Sequence, residues 1–129
     1  MNARAPDILL IDDDDFVAVL VERTVRQDGY EFARVIDGVE GIKRLSQFPL
    51  PRMVLLDVMM PLVNGFTVLA EIRKQELTRE LPVLMLTTLS AKKDVMRAVQ
   101  DGATDYLAKP FSTSELSARV RRMLGDPEK

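Results

Sequence analysis

The sequence predicts an α/β fold: one domain built on an open parallel β-sheet with helices on both faces. Three observations carry this expectation. The apolar runs Ile8 to Ile11, Met53 to Leu56 and Val83 to Leu86 are continuous rather than alternating, as in strands buried on both faces. Helical patterns fill the intervals between strand-like segments, giving strand then helix, five times over. The connections are short, and right-handed crossovers then place helices on both sides of one sheet.

Each element has its own local signal. Ile8 to Ile11 is the first strand, and Phe16 to Gln27 the first helix, stopped by Gly29. Tyr30 to Ile36 is partly alternating and reads as a strand nearer an edge. Val39 to Gln47 follows Asp37-Gly38 as the second helix and stops before Pro49 and Pro51. After the strand at Met53 to Leu56, Phe66, Leu69 and Ile72 mark one face of a third helix. After Val83 to Leu86, Val95, Met96 and Val99 mark a face of a fourth helix, which ends near Gly102. Asp105 to Ala108 is the last strand. Leu116, Val120 and Leu124 lie four apart in a fifth helix, with Ser112 or Thr113 as its N-cap.

Composition bounds the chemistry. The 129 residues fit a single compact domain, and 47% apolar residues suffice for its core. The net charge of -2, with acids and bases mixed along the chain, argues against binding nucleic acid or an anionic membrane by charge alone. The chain has no cysteine and no histidine. Disulfides, thiolate chemistry, a histidine base and a phosphohistidine are therefore excluded, and any histidine chemistry must come from a partner. MNARAPD lacks the apolar stretch of a signal peptide, no run approaches membrane-spanning length, and a soluble cytoplasmic protein is expected. Residues 1–6 read as an N-terminal tail, 7–124 as the domain, and 125–129 as a tail or the start of a linker.

In open parallel sheets, ligands sit beyond the carboxyl ends of the strands, near the point where strand order reverses. The first run is followed by Asp12, Asp13, Asp14 and Asp15, the third by Asp57, the fourth by Thr87 and Thr88, and the last by Lys109 and Pro110. All these ends share one rim. Clustered carboxylates repel one another, and a hard divalent cation relieves that repulsion. Asp12, Asp13 and Asp57 suit a Mg2+ or Mn2+ site, whereas Asp14 and Asp15 suit the start of the next helix. A carboxylate can also act as a nucleophile toward phosphorus, in a reaction that needs mainly positioning and charge stabilisation.

The segments ILLIDDDD, LLDVMMPLVNG, LMLTT and GATDYLAKPF, in this order and spacing, resemble the receiver domains of two-component response regulators across about residues 7 to 124. The resemblance implies a flavodoxin-like three-layer sandwich with strand order 2-1-3-4-5. It implies that Asp57 accepts a phosphoryl group, and that Asp12, Asp13, Asp57 and the backbone carbonyl of Met59 hold the metal. Thr87 would hydrogen-bond the phosphoryl group, Lys109 would pair with another of its oxygens, and Tyr106 would turn inward when Thr87 moves. The Lys109-Pro110 bond is expected to be cis. The donor would be a sensor histidine kinase or a histidine phosphotransfer protein, and the signal would leave through the fourth helix, last strand and fifth helix to an output domain or protein partner. No direct nucleic-acid or membrane binding is expected of this domain, which is a signalling module rather than an enzyme.

Finer features also follow from the resemblance. Thr88 stands where the family usually has a smaller residue, so it narrows the path of Thr87. Met59 and Leu89 occupy the two positions that tune the lifetime of the phosphoryl group. Both are apolar and cannot orient an attacking water, which implies slow self-dephosphorylation. Asp101, Asp105, Glu115 and Arg119 resemble the dimer face of receivers attached to winged-helix DNA-binding domains, although Val95 replaces the usual basic residue of the fourth helix. A solvated charged face is the alternative. Arg119, Arg121 and Arg122 fit the C-terminal end of a helix better than a nucleic-acid site.

Other classes share parts of this pattern. A haloacid-dehalogenase-like phosphatase also uses an aspartate, magnesium, a Thr and a Lys, and Asp12-x-Asp14 imitates its first motif. Asp101 and Asp105 imitate its last acidic motif but precede a strand rather than end one. A flavodoxin-like cofactor binder needs a first loop that cradles phosphate, which four aspartates would repel. A degenerate, unphosphorylated receiver is opposed by the complete set Asp12, Asp13, Asp57, Thr87 and Lys109.

Overall fold

The computed structural model describes residues 5–88 and 92–126. In chain order the elements are β1 (Ile8–Ile11), α1 (Asp15–Gln27), β2 (Phe32–Val35), α2 (Gly38–Arg44), β3 (Met53–Asp57), α3 (Gly65–Lys74), β4 (Val83–Thr87), α4 (Lys92–Gln100), β5 (Asp105–Ala108) and α5 (Thr113–Leu124). The five strands are all parallel, in the order β2-β1-β3-β4-β5. The sheet reverses direction of growth between β1 and β3, so the ends of these two strands flank a crevice.

The continuous apolar strands fill two cores at once. Ile8, Leu10, Met53, Leu55, Leu84 and Leu86 point to one face and pack with Val17, Val21 and Val25 of α1 and Leu116 and Val120 of α5. Leu9, Ile11, Val54, Leu56, Val83 and Met85 point to the other and pack with Phe66, Leu69 and Ile72 of α3 and Ala98 of α4. This is the alternation of a pleated strand with both faces covered.

Caps set the helix boundaries. Asp14 caps α1, its carboxylate accepting the Phe16 and Val17 amides, and Asp15 lies in the first turn. Ser112 caps α5 in a reciprocal capping box with Glu115. Asn64 caps α3 through the Thr67 amide.

Three local expectations are corrected. The second strand is shorter than Tyr30 to Ile36. Tyr30 is buried ahead of it, its hydroxyl donating to the Gly125 carbonyl at 2.6 Å. The second helix ends at Arg44 rather than Gln47: the Ser46 and Gln47 amides reach back only three residues, to Lys43 and Arg44, tightening the chain into a turn. In α4 the residue that packs inward is the small Ala98, while Met96 and Val99 are exposed and Val95 is half-buried. Apolar residues occupy more than one stripe of that helix, so periodicity could not choose the inward one.

Candidate functional site

The carboxyl ends of β1, β3, β4 and β5 bring Asp12, Asp57, Thr87 and Lys109 to one rim, as the strand registers require. Asp12 is fully buried and held at several atoms. Its amide donates to the Val35 carbonyl at 3.2 Å, its Oδ1 accepts the Asp14 amide at 2.9 Å, and its Oδ2 accepts Lys109 Nζ at 2.9 Å. Asp13 is exposed beside it. Asp57 ends β3 and is only 4% exposed. Its Oδ1 accepts Lys109 Nζ at 3.2 Å and, more loosely, the Met59 amide at 3.4 Å.

Carboxylate oxygens of Asp12, Asp13 and Asp57 all lie within 4.8 Å of one another. The Lys109 ammonium pairs with two of these three carboxylates, Asp12 and Asp57. Burial pushes the Asp57 carboxyl up from 3.8 to about 6; the Asp12 charge adds to the rise, while Lys109 and the Met59 amide oppose it. Burial pulls the Lys109 ammonium down, but its hydrogen bond to Asp12 and the charges of Asp12 and Asp57 outweigh this and hold it above its ordinary value.

The loop after Asp57 is fixed from both sides. The Val58 amide donates to the Leu86 carbonyl at 3.0 Å, and the Gly65 amide returns to the Val58 carbonyl at 2.9 Å. A Cβ on Gly65 would collide with the Asp57 carbonyl oxygen and come within 2.8 Å of Val58 Cα, so glycine is required for this close approach. Leu62, at the tip of the loop, is 91% exposed and has φ of 70°.

Thr87 ends β4, is buried, and its carbonyl accepts the Lys109 amide at 2.7 Å. The Lys109-Pro110 bond is cis, as expected. Thr88 is exposed and lines, with Asp13, Asp14, Asp57, Met59 and Lys109, an open cleft of about 410 Å3. Leu89 lies outside the described residues. A larger groove of about 580 Å3, between α1 and α5, is lined by none of these site residues.

Tyr106 is half-buried on β5 and packs against the second core, with the Arg119 guanidinium 6.0 Å from its ring centre. The residues of the expected dimer face all have partners within the chain. Asp105 pairs with Arg119 at 2.9 Å, Asp101 with Arg97 at 3.5 Å, and Glu115 closes the Ser112 capping box. Asp14 lines the cleft while also capping α1, whereas Asp101 and Asp105, the last acidic pair of the phosphatase alternative, do not line it. The sequence carries no signal for Arg34, a β2 residue whose Nε donates to the Asp12 carbonyl at 3.0 Å.

The family description "response regulator receiver domain" matches residues 8–121. The chain belongs to that family. Its receiver domain is 42% identical over 119 residues to the DNA-binding dual master transcriptional regulator RpaA of Synechocystis sp., an alignment covering 92% of this chain and 49% of that protein. The chain spans about half the length of the curated relatives it matches, including the phosphate regulon regulator PhoB of Rhizobium meliloti. Among solved structures, the receiver domain resembles the chemotaxis protein CheY4 of Vibrio cholerae with a TM-score of 0.85 at 29% identity, covering 94% of this chain and 100% of that one. It also resembles the receiver domain of sensor histidine kinase PA1611 from Pseudomonas aeruginosa PAO1, which has a magnesium ion coordinated in its active-site cleft. There the TM-score is 0.84 at 31% identity, covering 95% of this chain and 100% of that one. No described helix is long and apolar enough to cross a membrane.

Proposed function

We propose that this receiver domain, taken as residues 7–124, accepts a phosphoryl group on Asp57 from the phosphohistidine of a sensor kinase or phosphotransfer protein. One observation carries the reading: a buried carboxylate at the strand-order reversal faces two further carboxylates and an ammonium across an open cleft. These 129 residues contain no histidine, so the donor's phosphohistidine lies outside this domain.

The donor set fits Mg2+ or Mn2+: three carboxylates, all hard oxygen ligands, lie close enough to share one ion. Asp12, Asp13 and Asp57 would hold it, with the Met59 carbonyl as the fourth protein ligand. A bound cation would offset the negative charge of the incoming phosphoryl oxygens. The protein's own part is to hold the Asp57 oxygen toward the cleft, with Lys109 and Thr87 placed to bind phosphoryl oxygens. Oxygen of Asp57 attacks phosphorus as the phosphorus–nitrogen bond of the donor breaks, giving an acyl phosphate and a free imidazole.

Binding of the phosphoryl group would draw Lys109 and Thr87 toward it and shift a pre-existing equilibrium at α4, β5 and α5, with Tyr106 as the reporting side chain. The cytoplasm is the expected location, and an output domain or separate protein would receive the signal. Dimerisation through Asp101, Asp105, Glu115 and Arg119 would require these side chains to exchange their present partners. Sedimentation with and without beryllofluoride tests that step.

The decisive experiment is labelling by acetyl phosphate or beryllofluoride with Mg2+. Wild-type protein should take up one equivalent, and both Asp57→Asn protein and wild type in EDTA should take up none. Equal labelling of the Asn variant would reject Asp57 as the acceptor.

A further inference from the structure

We propose that Arg34 is a positioning residue for the metal-binding acids, acting from β2 behind the cleft. The inference rests on reading Asp12, Asp13 and Asp57 as a metal site, and it concerns how that site is kept in shape.

Four consecutive aspartates create a mechanical problem. Asp12 and Asp13 must face Asp57, yet Asp14 and Asp15 carry the same charge and follow immediately. Like charges this close drive a loop to spread unless something holds it. The charge of Asp14 is taken up by the Phe16 and Val17 amides in capping α1. Asp15 is turned aside by Arg34, whose Nη1 lies 2.9 Å from its Oδ1. The same guanidinium donates through Nε to the Asp12 carbonyl at 3.0 Å. One planar fork therefore grips the loop at both ends.

The register explains why this residue can do so. Arg34 pairs with Leu10 on β1, and Val35, next along β2, accepts the Asp12 amide. The Asp12 backbone is thus held by β2 at both its N–H and its C=O. Arg34 is well placed in a further sense: its Nη2 is buried and has no hydrogen-bond partner among the described residues. A fold seldom keeps an unsatisfied buried donor without a compensating role for the group that bears it. Asp15 is exposed, so solvent alone could satisfy it, and the pair is not explained by the need to neutralise a buried acid.

Loss of Arg34 should act in the direction opposite to simple electrostatics. A positive charge near the acids should repel a cation, so its removal should tighten metal binding. If Arg34 instead holds the ligands in place, its removal should weaken binding, as removal of groups that orient metal ligands does.

Mn2+ binding to wild-type, Arg34→Met and Arg34→Lys protein, followed by loss of the electron paramagnetic resonance signal of free Mn2+, separates these cases. Far-UV circular dichroism checks that each variant is folded at the working temperature. The expected result is Kd about tenfold weaker for Arg34→Met. Arg34→Lys, which keeps the charge but not the fork, should be weaker by about threefold or more. Unchanged or tighter binding by Arg34→Met overturns the proposal, as does wild-type affinity in Arg34→Lys. If Arg34→Met does not fold, the Lys variant alone decides. Failure of wild-type protein to bind Mn2+ would instead overturn the metal-site reading, and this inference with it. A purely structural role would lower thermal stability and leave Kd where it was.

Discussion

The Lys109 ammonium and the Asp57 carboxylate, 52 residues apart in the chain, meet at 3.2 Å at the rim of the sheet. Lys109 is shared between Asp57 and Asp12, the latter at 2.9 Å, so among the described residues it is the counterion of both buried acids. Anything that adds or removes charge at this point should be felt in stability as well as in phosphoryl chemistry.

Replacing Lys109 by Met should destabilise the metal-free protein by about 3 kcal/mol, because it leaves two buried carboxylates without their ammonium. Mg2+ should restore much of that loss. Thermal melts in EDTA and in Mg2+ should therefore show a larger metal-induced rise in Tm for the variant than for wild type. An equal rise in both proteins would argue that Lys109 does not balance these acids.

The raised pKa of Asp57 has a definite sign for stability. Its folded value of about 6 exceeds the ordinary 3.8, so between these pH values the native state binds more protons than the unfolded state. Stability from this group is therefore greatest below about pH 4 and falls as pH rises to about 6. Asp57→Asn avoids the cost. In EDTA at pH 7.5 it should be more stable than wild type by on the order of 2 kcal/mol, a figure in which the opposing attraction of Lys109 is already included. The difference should shrink toward zero near pH 4. A difference in Tm that does not vary with pH would contradict the assignment.

Gly65→Ala should disturb the acceptor directly, because the added methyl group meets the backbone of Asp57 and Val58. A destabilisation of about 1–3 kcal/mol is expected. Labelling by acetyl phosphate should slow more than in Gly125→Ala protein, where the new Cβ meets nothing within 4 Å. Equal labelling rates would show that the loop yields without moving Asp57.

Met59 is 60% exposed and lines the cleft, where it offers no group to orient water. A Met59→Asn, Leu89→Glu double variant supplies two such groups. Its phosphorylated form should decay about tenfold faster than wild type, a modest fraction of what a positioned base can contribute. Loss of label after removal of the donor measures this, and matching decay curves would refute it.

Much of this molecule is legible in one dimension. Ile8 to Ile11, Met53 to Leu56 and Val83 to Leu86 announce strands buried on both faces because no polar residue interrupts them, and the structure buries every one. Asp12, Asp13, Asp57, Thr87 and Lys109 could be placed on one rim because parallel strands must all end on the same side. The helix starts at Asp14 and Ser112 were readable to within one residue because capping is chemistry between near neighbours in sequence.

What sequence could not supply was set by contacts between residues distant in the chain. The inward stripe of α4 fell to Ala98 because the sheet, not the helix, decides which side is covered. Asp105 found its partner in Arg119, a pairing visible only once β5 and α5 lie side by side. Arg34 meets Asp12 across 22 residues solely because β2 pairs with β1. Local patterns record what a residue requires of its neighbours; only strand pairing and packing decide which distant group meets that requirement.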